Sequence, residues 1–282
     1  MISQSDRVAY DTEGAVCIRE VFGDWVEPLR AMIEKSIRTP GPLVERYSGG
    51  PGKAGFFGDR YRWTFDPEVR DFVFTSPAAE LAGEMMGASR ANIFCDHLFV
   101  KEPGADTPTP WHQDLPYWPL AGDQICSIWI ALDEVTEETG RLEFVGGSHR
   151  WNRKYRGKTF AKDGVAKYGM DLEQMPDIDT DRSQYNILSW NMMPGDCILF
   201  HALAIHGASG NANADRRRRA MSTRWLGDDV RYRAATDIPK PIRDPGLENG
   251  APITCDLFPV IWQRDATLPA SSLDTVSRRS VG

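Results

Sequence analysis

Histidine is scarce in this chain, with five copies in 282 residues. An imidazole-based site therefore has few possible members, and His97, His112, His149, His201 and His206 can each be weighed singly. Cysteine is equally sparse. Cys17, Cys95, Cys126, Cys197 and Cys255 are scattered and never form a CxxC pair. Four of them lie in apolar or strand-like stretches, as expected of buried thiols in a reducing, cytoplasmic setting. No apolar run approaches the roughly 18 residues a membrane span needs. The opening stretch MISQSDRVAYDTEGAV lacks the basic and apolar regions of a secretory signal. Positive charge is in deficit, 33 Lys and Arg against 40 Asp and Glu, for a net charge of -7. That balance argues against a nucleic acid or an anionic membrane as partner. Internal repeats and long low-complexity linkers are also missing. Against these absences stands a hydrophobic content of 41%, enough for a full core.

The pattern along the chain predicts one domain over 1–282, mainly β with flanking helices. Asp24 to about Thr39 reads as a helix, because Trp25, Leu29, Met32 and Ile33 fall on one face. Residues 76–87 read as a second helix, opened by Ser76-Pro77 and closed by Gly87. The stretch 1–89 is thus expected as helical decoration, and about 90–264 as the core. From residue 90 onward, short apolar runs alternate with Pro and Gly: 91–100, 124–132, 141–145, 185–190, 196–206 and 219–225. Several short strands so punctuated predict a β-sandwich or barrel. Residues 151–184 read as an insertion or lid, and 265–282 as a frayed tail.

The segment Thr109-Pro-Trp-His-Gln-Asp carries the most chemistry. On an extended chain His112 and Asp114 point the same way, because side chains alternate. They offer one imidazole nitrogen and one carboxylate oxygen to a single point. A second histidine from a distant strand would complete a two-His-one-carboxylate facial triad, the signature of non-haem Fe(II) oxygenases. His206, at a strand end before Gly207, is the candidate. Along 200–206, Phe200, Ala202, Ala204 and His206 share one face and His201 the other, so His201 and His206 cannot both face one metal without a bulge. His97 and His149 are expected to be structural. In 125–131, the face Ile125, Ser127, Trp129 and Ala131 sets small side chains around a tryptophan, leaving room for a ligand. A 2-oxoglutarate co-substrate would need a two-pronged cation for its far carboxylate, and the run Arg216–Arg219 supplies arginines. If the run is extended, Arg216, Arg218, Ala220 and Ser222 share a face. Arg218 is the first choice, with Arg216 and Arg217 as alternatives in a shifted register. The others are expected on a solvated surface. Trp111, Tyr117 and Trp118 flank the triad as candidate pocket walls, and Trp190 is another.

Residues about 90–226 resemble the phytanoyl-coenzyme A dioxygenase family of Fe(II)/2-oxoglutarate oxygenases. The resemblance rests on WHQD (111–114), WIALDEVTEETGRLEFVGGSH (129–149), PGDCILFHALAIHG (194–207) and RRRRAMSTRWLGDD (216–229). It implies a double-stranded β-helix (jelly-roll, cupin-like) core, with Fe(II) on His112, Asp114 and His206. It implies Arg218 as the 2-oxoglutarate arginine, and O2 as the second co-substrate. Gln113 and Trp129 fall where family members line the co-substrate, and Lys101 matches a lysine ahead of the HxD. The family's serine two residues past the distal histidine is Ala208 here, with Ser209 next to it. The amino-terminal segment holding Phe57, Tyr61 and Trp63 matches one that covers the substrate side. Asp114 argues against the halogenating branch, in which a small residue replaces the carboxylate.

The expected activity is oxidation of an unactivated C–H bond in a small, hydrophobic or ring-bearing molecule; hydroxylation, desaturation and ring closure share this residue pattern. Two alternatives remain open at this point. One is a cupin-like metal-dependent hydrolase or isomerase without a co-substrate, which needs no arginine after His206. The other is a non-catalytic jelly-roll binding protein, which would usually have lost a triad member. Oligomeric state is left open.

Overall fold

A computed structural model describes residues 2–50, 53–156, 171–234 and 238–264. The tail from 265 and the middle of the 151–184 segment lie outside the described residues. Two antiparallel sheets form the frame. The larger has eight strands. In spatial order they are Ala15–Ile18, Cys197–His201, Ile125–Ala131, Arg218–Leu226, Arg90–Lys101, Lys53–Arg60 and Glu45–Gly50, and Val260–Gln263 also pairs with Arg90–Lys101. The smaller has four: Ile187–Ser189, Leu142–Val145, His206–Ala208 and Thr109–His112. The two sheets face each other as a jelly roll, the double-stranded β-helix. Among the described residues, no helix is long and apolar enough to cross a membrane.

Alternation decides which side chain faces what. In Ile125–Ala131, Cys126, Ile128 and Ile130 join the core beneath the helices, while Trp129 and Ala131 face the smaller sheet. Four helices cover the outer face of the larger sheet. Val26–Arg38 lies on it through Leu29, Met32 and Ile33, all 2% exposed or less. Ala78–Met85 is the helix expected within 76–87. Two helices were not expected: Gln4–Glu13 and Pro67–Thr75. The stretch 1–89 also supplies three strands to the larger sheet, so it is more than helical decoration.

The apolar run 196–206 is two strands rather than one. Cys197–His201 belongs to the larger sheet and His206–Ala208 to the smaller. The chain turns between them, with the Ala204 amide donating to the His201 carbonyl at 2.9 Å. Ala202, Ala204 and Ile205 are fully buried in the turn, so hydrophobicity gives no sign of it.

Candidate active site

Three side chains converge, two of them from the small sheet. His206 and His112 are direct partners across neighbouring strands, with ring centroids 4.2 Å apart. Asp114 follows at the start of the Leu115–Tyr117 turn, its Oδ1 3.6 Å from His112 Nε2. Ligand atoms from all three lie within 4.8 Å of one another.

The histidine tautomers follow from geometry. His112 Nδ1 lies 2.8 Å from the Pro110 carbonyl and His206 Nδ1 lies 3.0 Å from the Ala204 carbonyl. A carbonyl can only accept, so each Nδ1 carries the proton and each Nε2 keeps a free lone pair. Burial, with His112 beside it, pushes His206 down to about 3, so its ring is neutral at ordinary pH. Burial alone would raise the Asp114 carboxyl, but the Arg224 cation and the two histidines outweigh it and hold it well below the usual carboxylate range. Two imidazoles and one carboxylate make a donor set for a divalent transition metal.

The triad opens into a cavity of about 780 Å3 between the sheets. Arg218 and Trp129 line it on the larger sheet. Arg218 is 2% exposed and its guanidinium carbon lies 5.3 Å from the Trp129 ring centre. Its Nε has no hydrogen-bond partner, and burial pushes its pKa down to about 10. The other three arginines of the run are engaged elsewhere: Arg216 with Glu134, Arg217 with Glu102 and Glu34, Arg219 with Asp133 and Glu34. Arg218 alone of the four is a buried cation that lines the cavity.

Tyr61, Tyr117 and Trp118 also line the cavity. Tyr61 is placed there by a left-handed backbone, φ 60°. That conformation is held because the next two amides, of Arg62 and Trp63, donate to the buried Asp96 carboxylate at 3.1 and 2.9 Å.

Other side chains singled out in the sequence point elsewhere. Phe57 and Trp63 are buried on the opposite face of the larger sheet, in the core with the helices. Alternation explains Phe57, since Phe56, Gly58 and Arg60 take the cavity side. Gln113 is fully buried, with its Nε2 on the carbonyls of Arg153 (3.1 Å) and Leu203 (3.0 Å) and its Oε1 accepting the Tyr155 amide (3.0 Å). Flanked by His112 and Asp114, it must point away from them, and it ties down the 151–156 segment instead of lining the cavity. Lys101 is fully buried, with its ammonium on the Ser209 carbonyl at 2.5 Å and over the Phe56 ring. Ser209 itself is exposed, and its hydroxyl donates to the Glu137 carbonyl at 3.4 Å. Trp190 packs on Phe144, 6.1 Å between ring centres, and Trp111 donates to Asp179 at 2.9 Å. None of the last four lines the cavity. His149 lies in a turn against the Asp11 carbonyl, and His201 against that of Asp123.

Arg224, Ser222, His97 and Tyr47 do line it, and were not anticipated. For Arg224 the signal was present. The alternation Arg216, Arg218, Ala220, Ser222 reaches Arg224 one step later.

Comparison with known proteins identifies a family. The profile of the phytanoyl-CoA dioxygenase (PhyH) family matches residues 10–220. A probable phytanoyl-CoA dioxygenase of Caenorhabditis elegans is 28% identical over 171 residues, 58% of this chain and 53% of the relative. An L-proline trans-4-hydroxylase of Streptomyces griseoviridis is 25% identical over 268 residues, 90% of this chain and 94% of the relative. The chain thus spans about half the length of the first and nearly all of the second. Among solved structures, the epimerase SnoN in complex with Fe3+, alpha ketoglutarate and nogalamycin RO has a TM-score of 0.71 at 23% identity, covering 92% of this chain and 98% of its own. It shares the fold. With the profile match extending over most of its length, this chain belongs to the phytanoyl-CoA dioxygenase family.

Proposed function

We propose that the chain is an Fe(II)- and 2-oxoglutarate-dependent dioxygenase that oxidises an unactivated C–H bond of a small organic molecule. The observation that carries this reading is the pairing, in one cavity, of the His112, Asp114 and His206 donor set with the unpartnered, buried Arg218. A metal-dependent hydrolase without a co-substrate gives no reason to bury a lone arginine, which is costly unless an anion joins it. Family membership and the near full-length likeness to a hydroxylase support the same reading.

The three donors would hold the iron, and Fe(II), 2-oxoglutarate and O2 together supply the oxidising power when bound. The residues of the chain bind, orient and exclude water. Arg218 receives the distal carboxylate of 2-oxoglutarate, stacked on Trp129 so that its fork is held in place. The carbonyls of Pro110 and Ala204 fix both imidazoles with Nε2 toward the metal. Tyr61, Tyr117 and Trp118 wall the substrate side and shield the reacting centre from water.

The test is O2-dependent conversion of 2-oxoglutarate to succinate by anaerobically purified protein reconstituted with Fe(II). Turnover in the wild type and its loss in His206→Ala is the expected result. A protein that binds Fe(II) but not 2-oxoglutarate would overturn the proposal.

A further inference from the structure

Arg224 is a second buried arginine in the cavity, and the one carboxylate beside it is a candidate metal donor, Asp114. It is 7% exposed. It sits on the same strand face as Arg218, with its guanidinium carbon 5.3 Å from the Trp118 ring centre. Its Nη2 is 3.4 Å from His97 Nδ1 and its Nη1 4.0 Å from the Cys95 sulfur, both weak contacts. Its Nε has no hydrogen-bond partner. Among the described residues the nearest carboxylate is Asp114, whose Oδ2 lies 3.8 Å from that Nε. Asp114 belongs to the metal centre.

Charge accounting then isolates Arg224. Iron(II), Asp114, Arg218 and the dianion 2-oxoglutarate form a set whose charges cancel. Among the described residues, the remaining groups facing Arg224 supply no anion. Glu45 is taken by Arg60 at 2.6 Å. Burial keeps the Cys95 thiol protonated, raised to about 11, and keeps the phenols of Tyr47 and Tyr61 protonated as well. His97 is neutral, since burial and the cations of Arg224 and Arg60 depress it well below its usual range. A buried cation that shares its one carboxylate with a metal is left under-compensated, and a ligand that brings a further negative charge relieves this.

Resting on the dioxygenase reading above, we infer that the substrate is a compact carboxylic acid and that Arg224 receives its carboxylate. The planar fork suits a carboxylate, which can be gripped in two-pronged fashion. The wall around it is aromatic, with Tyr61, Phe94, Tyr117 and Trp118, so the body of the acid is apolar. Because Arg224 lies against Asp114, the anchored carboxylate sits close to the metal, and the oxidised carbon is only a few bonds from it. The hydrophobic substrate expected from sequence thus gains one charged end.

The experiment uses matched pairs of compact acids and their primary amides: phenylacetic, 3-phenylpropanoic and cyclohexanecarboxylic. Binding to the anaerobic Fe(II)–2-oxoglutarate complex of the full chain is measured by calorimetry. The visible absorption of the iron–2-oxo acid chelate is followed in parallel. At least one acid is expected to bind about tenfold or more tighter than its amide, with the preference reduced to about twofold in Arg224→Gln and partly kept in Arg224→Lys. The chelate absorption is expected in all three proteins. If the chelate forms but acid and amide bind alike, or no acid binds, or the preference survives in Arg224→Gln, the inference is wrong while the dioxygenase reading stands. If no chelate forms in the wild type, the dioxygenase reading fails and takes this one with it.

Discussion

Two arginines on one strand face illustrate how position gives the same side chain different work. Among the described residues Arg218 is buried without an ion pair, and it is proposed to receive 2-oxoglutarate. Replacing it with Met removes a charge-assisted, two-pronged contact. Losing one partner of such a buried pair costs about 2–5 kcal/mol, so 2-oxoglutarate affinity should fall thirtyfold or more, at about 1.4 kcal/mol per decade. Calorimetric titration of the metal-loaded protein checks this, and Arg218→Lys should recover only part of the loss, because a point charge cannot reproduce the fork. His97 provides a pH handle. In the folded protein its pKa is held well below the usual value by burial, Arg224 and Arg60, whereas the unfolded side chain titrates near about 6.5. The unfolded state therefore binds more protons in the window below that value. The stability contribution is fully present above about pH 6.5 and is lost as the pH falls. Burial depresses His149 and His206 in the same direction. Asp96, raised to about 6 by burial, works in the opposite one. Denaturant unfolding at about pH 7.5 and pH 5.5 should show a smaller loss for His97→Gln than for the wild type.

At the level of elements, an ion network joins the helical layer to the sheet. Arg62, 2% exposed, bridges Asp59 at 2.9 Å and Asp66 at 2.8 Å. Asp59 lies on a strand and Asp66 caps the Pro67–Thr75 helix, accepting from the Glu68 amide. Arg62→Met would leave the buried Asp59 without its cation and Asp66 with Lys35 alone, 3.3 Å away. A loss of about 3–5 kcal/mol is expected, read as a lower urea midpoint with unchanged slope. The same elements show where sequence reading fell short. The Gln4–Glu13 and Pro67–Thr75 helices carry clear start signals, a Ser3–Asp6 capping box and Asp66 before Pro67. Gln4–Glu13 buries only Tyr10 and Pro67–Thr75 buries Val69, Phe72 and Val73, so neither shows a long apolar repeat. The core strands were legible because each alternates between two apolar environments. Gln113 was not, since a polar side chain between two ligands gives no local sign that three backbone groups await it across the fold.

The whole molecule places both histidine donors on one sheet, Asp114 just past the end of its strand, and Arg218 and Trp129 on the other sheet, so ligand binding is expected to join the two layers. A ligand that binds only the folded state stabilises it by about 2.7 kcal/mol at a hundredfold excess over Kd. For a chain of this size that corresponds to a rise in Tm of roughly 5 °C. Differential scanning fluorimetry should show this rise with Fe(II) and 2-oxoglutarate under anaerobic conditions, and Asp114→Ala should abolish it.

By itself the sequence determined what is local. The HxD geometry follows from the alternation of an extended chain, and the scarcity of histidine made the search for a third donor short. The faces of 125–131 and 218–226 follow from the same period of two. Tertiary structure decided what depends on distant pairing. It brought His206 opposite His112 by moving that strand into the second sheet. It sent His201 and His149 to backbone carbonyls, turned Phe57 to the helical side, and buried Arg224 beside Asp114. Strand register and sheet membership are set by contacts far apart in the chain, and no local pattern encodes them.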